Sequence, residues 1–68
     1  MRRTVLVQGD GVQEMRRSAA ADARVVARVE PGVIGDLVGC EAGWCRIEVA
    51  DERGWLPATA LWGVEEGG

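Results

Sequence analysis

Between Gly43 and the polar run Asp51-Glu52-Arg53-Gly54 stands a stretch in which side chains alternate in character: Trp44, Arg46 and Glu48 on one side, Cys45, Ile47 and Val49 on the other. A period of two belongs to a strand with one face on a core and one toward solvent. The flanking turn residues set its length. This stretch is the clearest strand in the chain, and it commits its surroundings to an antiparallel β architecture.

The other segments follow the same pattern less cleanly. Thr4–Gln8 is apolar and β-branched enough for a strand, and Gly9-Asp10-Gly11 follows as a turn. Val12–Met15 reads as a short extended piece. Arg16–Arg24 has three consecutive alanines but no strand period, and is too short for an independent helix, so it reads as a long loop. Val25–Val29 is a strand with Val25, Ala27 and Val29 on one face, and Glu30-Pro31-Gly32 is a turn. Val33–Cys40 is a strand in which Gly35 and Gly39 mark a bend or bulge. Glu41-Ala42-Gly43 reverses the chain, and Asp51–Gly54 reads as a polar hairpin loop. Trp55-Leu56 restarts a strand that Pro57 ends. Ala58–Leu61 makes one helical turn, and Trp62–Val64 a last short strand. The expectation is an all-β barrel of five or six short strands with one short helical turn. One domain spans residues 1–64, and 65–68 form an acidic, glycine-rich tail.

At 68 residues a second domain is not expected. So small a chain buries only about 60% of its unfolded surface, and a staple would help it. The net charge of -3 argues against nucleic acid as a partner, because that footprint needs clustered positive charge. The basic pairs Arg2-Arg3 and Arg16-Arg17 read as solvated surface. No segment approaches the roughly 18 apolar residues of a membrane span, and Val5-Leu6-Val7 stops at Gln8, too soon for a secretory signal. The chain has no histidine and one serine, Ser18, without an evident base, so catalysis has little to work with. No cofactor or metal is expected.

Three pieces of the chain resemble the bacterial SH3-like family. They are Val12-Gln13-Glu14-Met15-Arg16, then Val25-Val26-Ala27-Arg28-Val29-Glu30-Pro31-Gly32, and finally Gly43-Trp44-Cys45-Arg46-Ile47 with Gly54-Trp55-Leu56 and Leu61. The last piece is the most specific, because two Gly-Trp pairs straddle one hairpin. The resemblance implies a small SH3-like barrel and a non-catalytic binding module of a cell-envelope protein, contacting cell-wall peptide or glycan or a protein partner. It places the chain in the periplasm or outside the cell as part of an exported protein, with the cytoplasm as the alternative. The chain departs from the family at Arg17-Ser18-Ala19-Ala20-Ala21, where a serine-glycine-proline run is usual, so a looser or differently shaped loop is expected. Trp44 and Pro57 also match two positions of the peptide shelf in eukaryotic SH3 domains. The tyrosines of that shelf have no counterpart, and Ala60 stands where one would sit, so the proline-rich mode of recognition is weakened.

Trp44 is the sharpest candidate for a binding residue, since it is a large apolar ring on the face of Arg46 and Glu48. Arg16, Arg46 and Glu48 are expected around it, with Pro57 as shelf and Trp62 half-exposed at one barrel end. Trp55 reads as packing. Trp44 and Trp62 could instead serve a self-associating domain with no small ligand. Cys40 and Cys45, with four residues between them across a turn, read as a disulfide, with two buried thiols as the alternative.

Overall fold

The computed structural model describes residues 3–63. Val64, expected to end the last strand, and the tail at 65–68 lie outside the described residues. Seven strands and one 3-10 turn follow in order: β1 (Arg3–Val7), β2 (Gln13–Arg16), β3 (Val25–Val29), β4 (Ile34–Glu41), β5 (Trp44–Val49), β6 (Glu52–Pro57), the turn Ala58–Ala60, and β7 (Leu61–Gly63). They form one antiparallel sheet in the order β3-β2-β6-β5-β4-β1-β7. The fold is all-β, as expected, but with seven strands rather than five or six. Each of the seven extended segments read from the sequence forms one of these strands, the terminal two included: β7 pairs with β1, Leu6 opposite Trp62, and β1 pairs with β4.

The sheet curls on itself. Val5 and Val7 of β1 share one buried cluster with Met15 of β2, Val29 of β3, Ile47 of β5 and Leu56 of β6. Strands far apart in the sheet order meet in that cluster, which a flat sheet could not allow. The inward residues are those the alternation predicts: Ile47 and Cys45 are buried on β5, and Val29 on β3, with Ala27 packed against the cluster. On β6 it is Leu56 that enters the core, while Trp55 is half-buried on the opposite face. Adjacent strand residues point to opposite faces, so only one of the two can enter the core.

The turns are tighter than the polarity of the sequence suggests. β4 and β5 join through Ala42 and Gly43 alone, with φ of +51° and +83°. Positive φ at both central residues is the type I′ geometry, whose twist matches that of the strands. β5 and β6 join through Ala50 and Asp51. The expected loop at Asp51–Gly54 is mostly strand, because Glu52, Arg53 and Gly54 pair with Val49, Glu48 and Ile47. Polar residues there mark a solvent-facing strand end, and Arg53 Nε meets Glu48 Oε2 at 3.5 Å.

The expected bulge falls between Leu37 and Gly39, while Gly35 pairs regularly with Val5. Gly54 is buried, and a Cβ there would lie 2.9 Å from Met15 Cβ and 3.1 Å from the Arg16 carbonyl oxygen. Only glycine lets β6 approach β2 so closely.

Of the two expectations for the segment after β2, a looser loop or a differently shaped one, the first is not met, because the loop is closed by its own hydrogen bonds. Arg17 N donates to the Arg24 carbonyl at 2.8 Å, Ala20 N to Ser18 at 2.8 Å, and Ala23 N to Ala20 at 3.1 Å. Small alanines allow the backbone to turn back on itself without glycine or proline. Arg16 belongs to β2 rather than to this loop.

Candidate functional site

A groove of about 510 Å³ lies between the β2–β3 hairpin with its loop and the paired strands β5 and β6. That volume suits a ligand the size of a few peptide residues. Trp44 and Pro57 form its apolar part, and they are register partners across β5 and β6. The opposite wall comes from Gln13, Glu14 and Arg16 of β2, with Val12 before them, Ala21 of the loop and Arg28 of β3. Trp44 is half-buried, so one part of the indole is held by the protein and the rest meets the groove.

The polar wall is organised around Glu14. Its Oε1 accepts from Arg16 Nη2 at 3.1 Å, and its Oε2 lies 3.6 Å from Arg28 Nε. Arg16 also donates from Nη1 to the Ala23 carbonyl at 2.9 Å. One guanidinium therefore braces both the groove wall and the loop beside it. The reading of Arg16 as solvated surface charge is corrected by these two bonds. A partly buried, hydrogen-bonded arginine holds one geometry, which a freely solvated one does not.

The expected site residues are divided by this geometry. Trp44, Pro57 and Arg16 come together in the groove. Arg46 and Glu48 share the outer face of β5 but do not line it. Arg46 lies in register between Gly39 and Trp55, and Glu48 is paired with Arg53. Trp62 is 56% exposed on β7, outside the groove, in a cross-strand row with Leu6 and Ile34. The sequence reading missed Glu14 and Arg28 as groove residues. They are directly opposed on the β2–β3 hairpin, but seeing this requires its register across an eight-residue loop.

Cys40 and Cys45 are joined in a disulfide between directly opposed positions of β4 and β5. It lies one register step from the Glu41–Trp44 pair that closes the hairpin. The cross-link thus fastens the end of β5 that presents Trp44. With both sulfurs bonded to each other, neither is a thiolate available as ligand or nucleophile.

No helix among the described residues is long and apolar enough to cross a membrane. Neither the curated proteins nor the solved structures contain a match to this sequence. A family model does match, that of the bacterial SH3 domain, over residues 9–63. That span runs from the turn before β2 to the end of β7 and takes in the groove, both Gly-Trp pairs and the 3-10 turn. The chain belongs to the bacterial SH3 domain family, whose domains are in general non-enzymatic modules that bind proteins or peptides.

Proposed function

We propose that this chain is the binding module of an exported protein and that it docks a short extended segment of cell-wall peptide, or of a protein partner, across the Trp44–Pro57 groove. The observation that carries the reading is the half-buried Trp44 against its register partner Pro57, in a groove of about 510 Å³ that faces solvent. Such a surface offers a rigid aromatic anchor at small entropic cost, and tryptophan is the residue type most enriched at binding hot spots. The Cys40–Cys45 disulfide supports a place outside the reducing cytoplasm.

An NMR titration of the labelled domain with soluble muropeptides tests this, with Trp44→Ala alongside. Shifts centred on the Trp44 indole and on Ala21 and Arg28, lost in the variant, support it. No shift at millimolar ligand would count against cell-wall peptide as the ligand.

A second reading rests on a different surface. Ile34, Leu6 and Trp62 are cross-strand neighbours on β4, β1 and β7, with Ile34 65% and Trp62 56% exposed. That row favours self-association through β7, an edge strand of the sheet. Sedimentation velocity across a hundredfold concentration range, repeated with Trp62→Ser, separates the two readings. A monomer throughout removes this one.

A further inference from the structure

We infer that the groove selects peptides carrying a carboxylate next to an apolar residue, which is to say acidic peptides. This rests on the reading of the groove as a peptide-docking surface, and adds to it the chemistry of the ligand.

Charge along the chain is segregated. From Val12 to Val29 stand four arginines (Arg16, Arg17, Arg24 and Arg28) against two acids (Glu14 and Asp22), a net +2. The whole chain carries -3, so the remainder carries -5. The positive segment is the one that supplies the polar wall. Within the groove Glu14 is the single acid among the lining residues, and it stands between two guanidiniums. One carboxylate cannot neutralise two arginines, so the wall keeps a positive charge.

The two arginines are not equivalent. Arg16 is 25% exposed and already committed to Glu14 and the Ala23 carbonyl. Arg28 is 69% exposed, and its Nε faces Glu14 at 3.6 Å. The planar fork of Arg28 is therefore the group placed to meet a ligand carboxylate, while Glu14 and Arg16 fix the wall behind it. Opposite stands the apolar surface of Trp44 and Pro57. A ligand that satisfies both walls carries an apolar residue for the shelf and an acidic one beside it. A basic peptide would instead meet Arg28 with like charge, at a cost.

Two capped, proline-centred hexapeptides test this: one with two glutamates, and a twin with both replaced by glutamine. Affinity is read from Trp44 and Arg28 shifts in NMR titrations at low and at high salt. The acidic peptide is expected to bind about fivefold tighter at low ionic strength, with the preference lost above about 0.5 M salt. Arg28→Gln should erase the preference. Arg53→Gln, which removes the same charge away from the groove, should leave it intact. Equal binding of the twins overturns the acidic preference and leaves the groove reading standing. A preference that survives Arg28→Gln overturns the assignment of the site. Shifts with muropeptides whose carboxyl groups are amidated, but with neither hexapeptide, overturn the inference alone, and no shifts with any of the three overturn both.

Discussion

The chain contains the same dipeptide twice, Gly43-Trp44 and Gly54-Trp55, on the two arms of one hairpin, and the copies do different work. Gly43 is exposed, its φ is +83°, and a Cβ added there would meet nothing within 4 Å. It is needed for its backbone conformation. Gly54 is buried, and an added Cβ would fall 2.9 Å from Met15 Cβ and 3.1 Å from Val26 Cγ2. It is needed for its lack of volume. The tryptophans differ as well. Both lie on the outer face, but Trp44 lines the groove, while Trp55 lies in register between Arg46 and Arg16. Long arginine stems cover apolar surface, so Trp55 is placed to be sheathed rather than presented.

The largest test of this contrast is at the glycines. Gly54→Ala should cost about 2–3 kcal/mol, because the neighbours are backbone and core rather than a flexible tip. Gly54→Asn should cost more still, since only volume matters there. Gly43→Ala should cost about 1–2 kcal/mol, the price of a left-handed conformation. Gly43→Asn should recover most of that loss, because asparagine tolerates positive φ. Thermal melts of the four variants give the ranking directly, at about 4–8 °C per kcal/mol for a domain of this size. If asparagine helps at position 54 and harms at 43, the two roles are wrongly assigned.

The tryptophans give the next test. Trp44→Ala should weaken groove binding by tenfold or more, as expected for a hot-spot aromatic. Trp55→Ala should leave affinity within about threefold and act on stability instead, through the sheath it shares with Arg46 and Arg16. Equal loss of binding in both variants would mean that the ligand runs along the whole outer face of β5 and β6, past Pro57 and toward Arg46.

Much of this was legible in the sequence, and the limits have physical causes. The alternation from Trp44 to Val49 placed Ile47 and Cys45 inside and Trp44 outside, because a period of two leaves no other choice once one face is buried. Resemblance paired Trp44 with Pro57, and the register of β5 and β6 does put them opposite each other. Arg46 and Glu48 were expected beside Trp44 for the same reason, since they share its face. A shared face does not make a shared groove: successive outward residues are about 7 Å apart along a strand, and only Trp44 of the three lines the groove. Arg28 was hidden because its neighbour Glu14 lies on another strand. The strand-like character of Glu52–Gly54 was hidden by its polarity, which fits a turn and a solvated hairpin arm equally well.

The smallest expected effect concerns the two hairpin turns that flank β5. Ala42 and Ala50 both hold positive φ, +51° and +55°, in a region alanine occupies only at a cost. Ala42→Asn and Ala50→Asn should each stabilise the domain by about 0.5–1 kcal/mol through the folded state. Glycine relieves the same strain but gives the unfolded chain extra freedom, which offsets part of the gain. Here the two turns part company. Ala42 lies inside the loop closed by Cys40 and Cys45, and Ala50 lies outside it. The disulfide already restricts the unfolded chain around Ala42, so Ala42→Gly should match Ala42→Asn while the bond is intact. Ala50→Gly should fall behind Ala50→Asn by a few tenths of a kcal/mol, with or without reductant. Adding reductant should open the same gap at position 42. Melts of the four variants under oxidising and reducing conditions read this out. A gap at 42 that ignores reductant would mean the cross-link acts on the native hairpin beside Trp44 rather than on the unfolded chain.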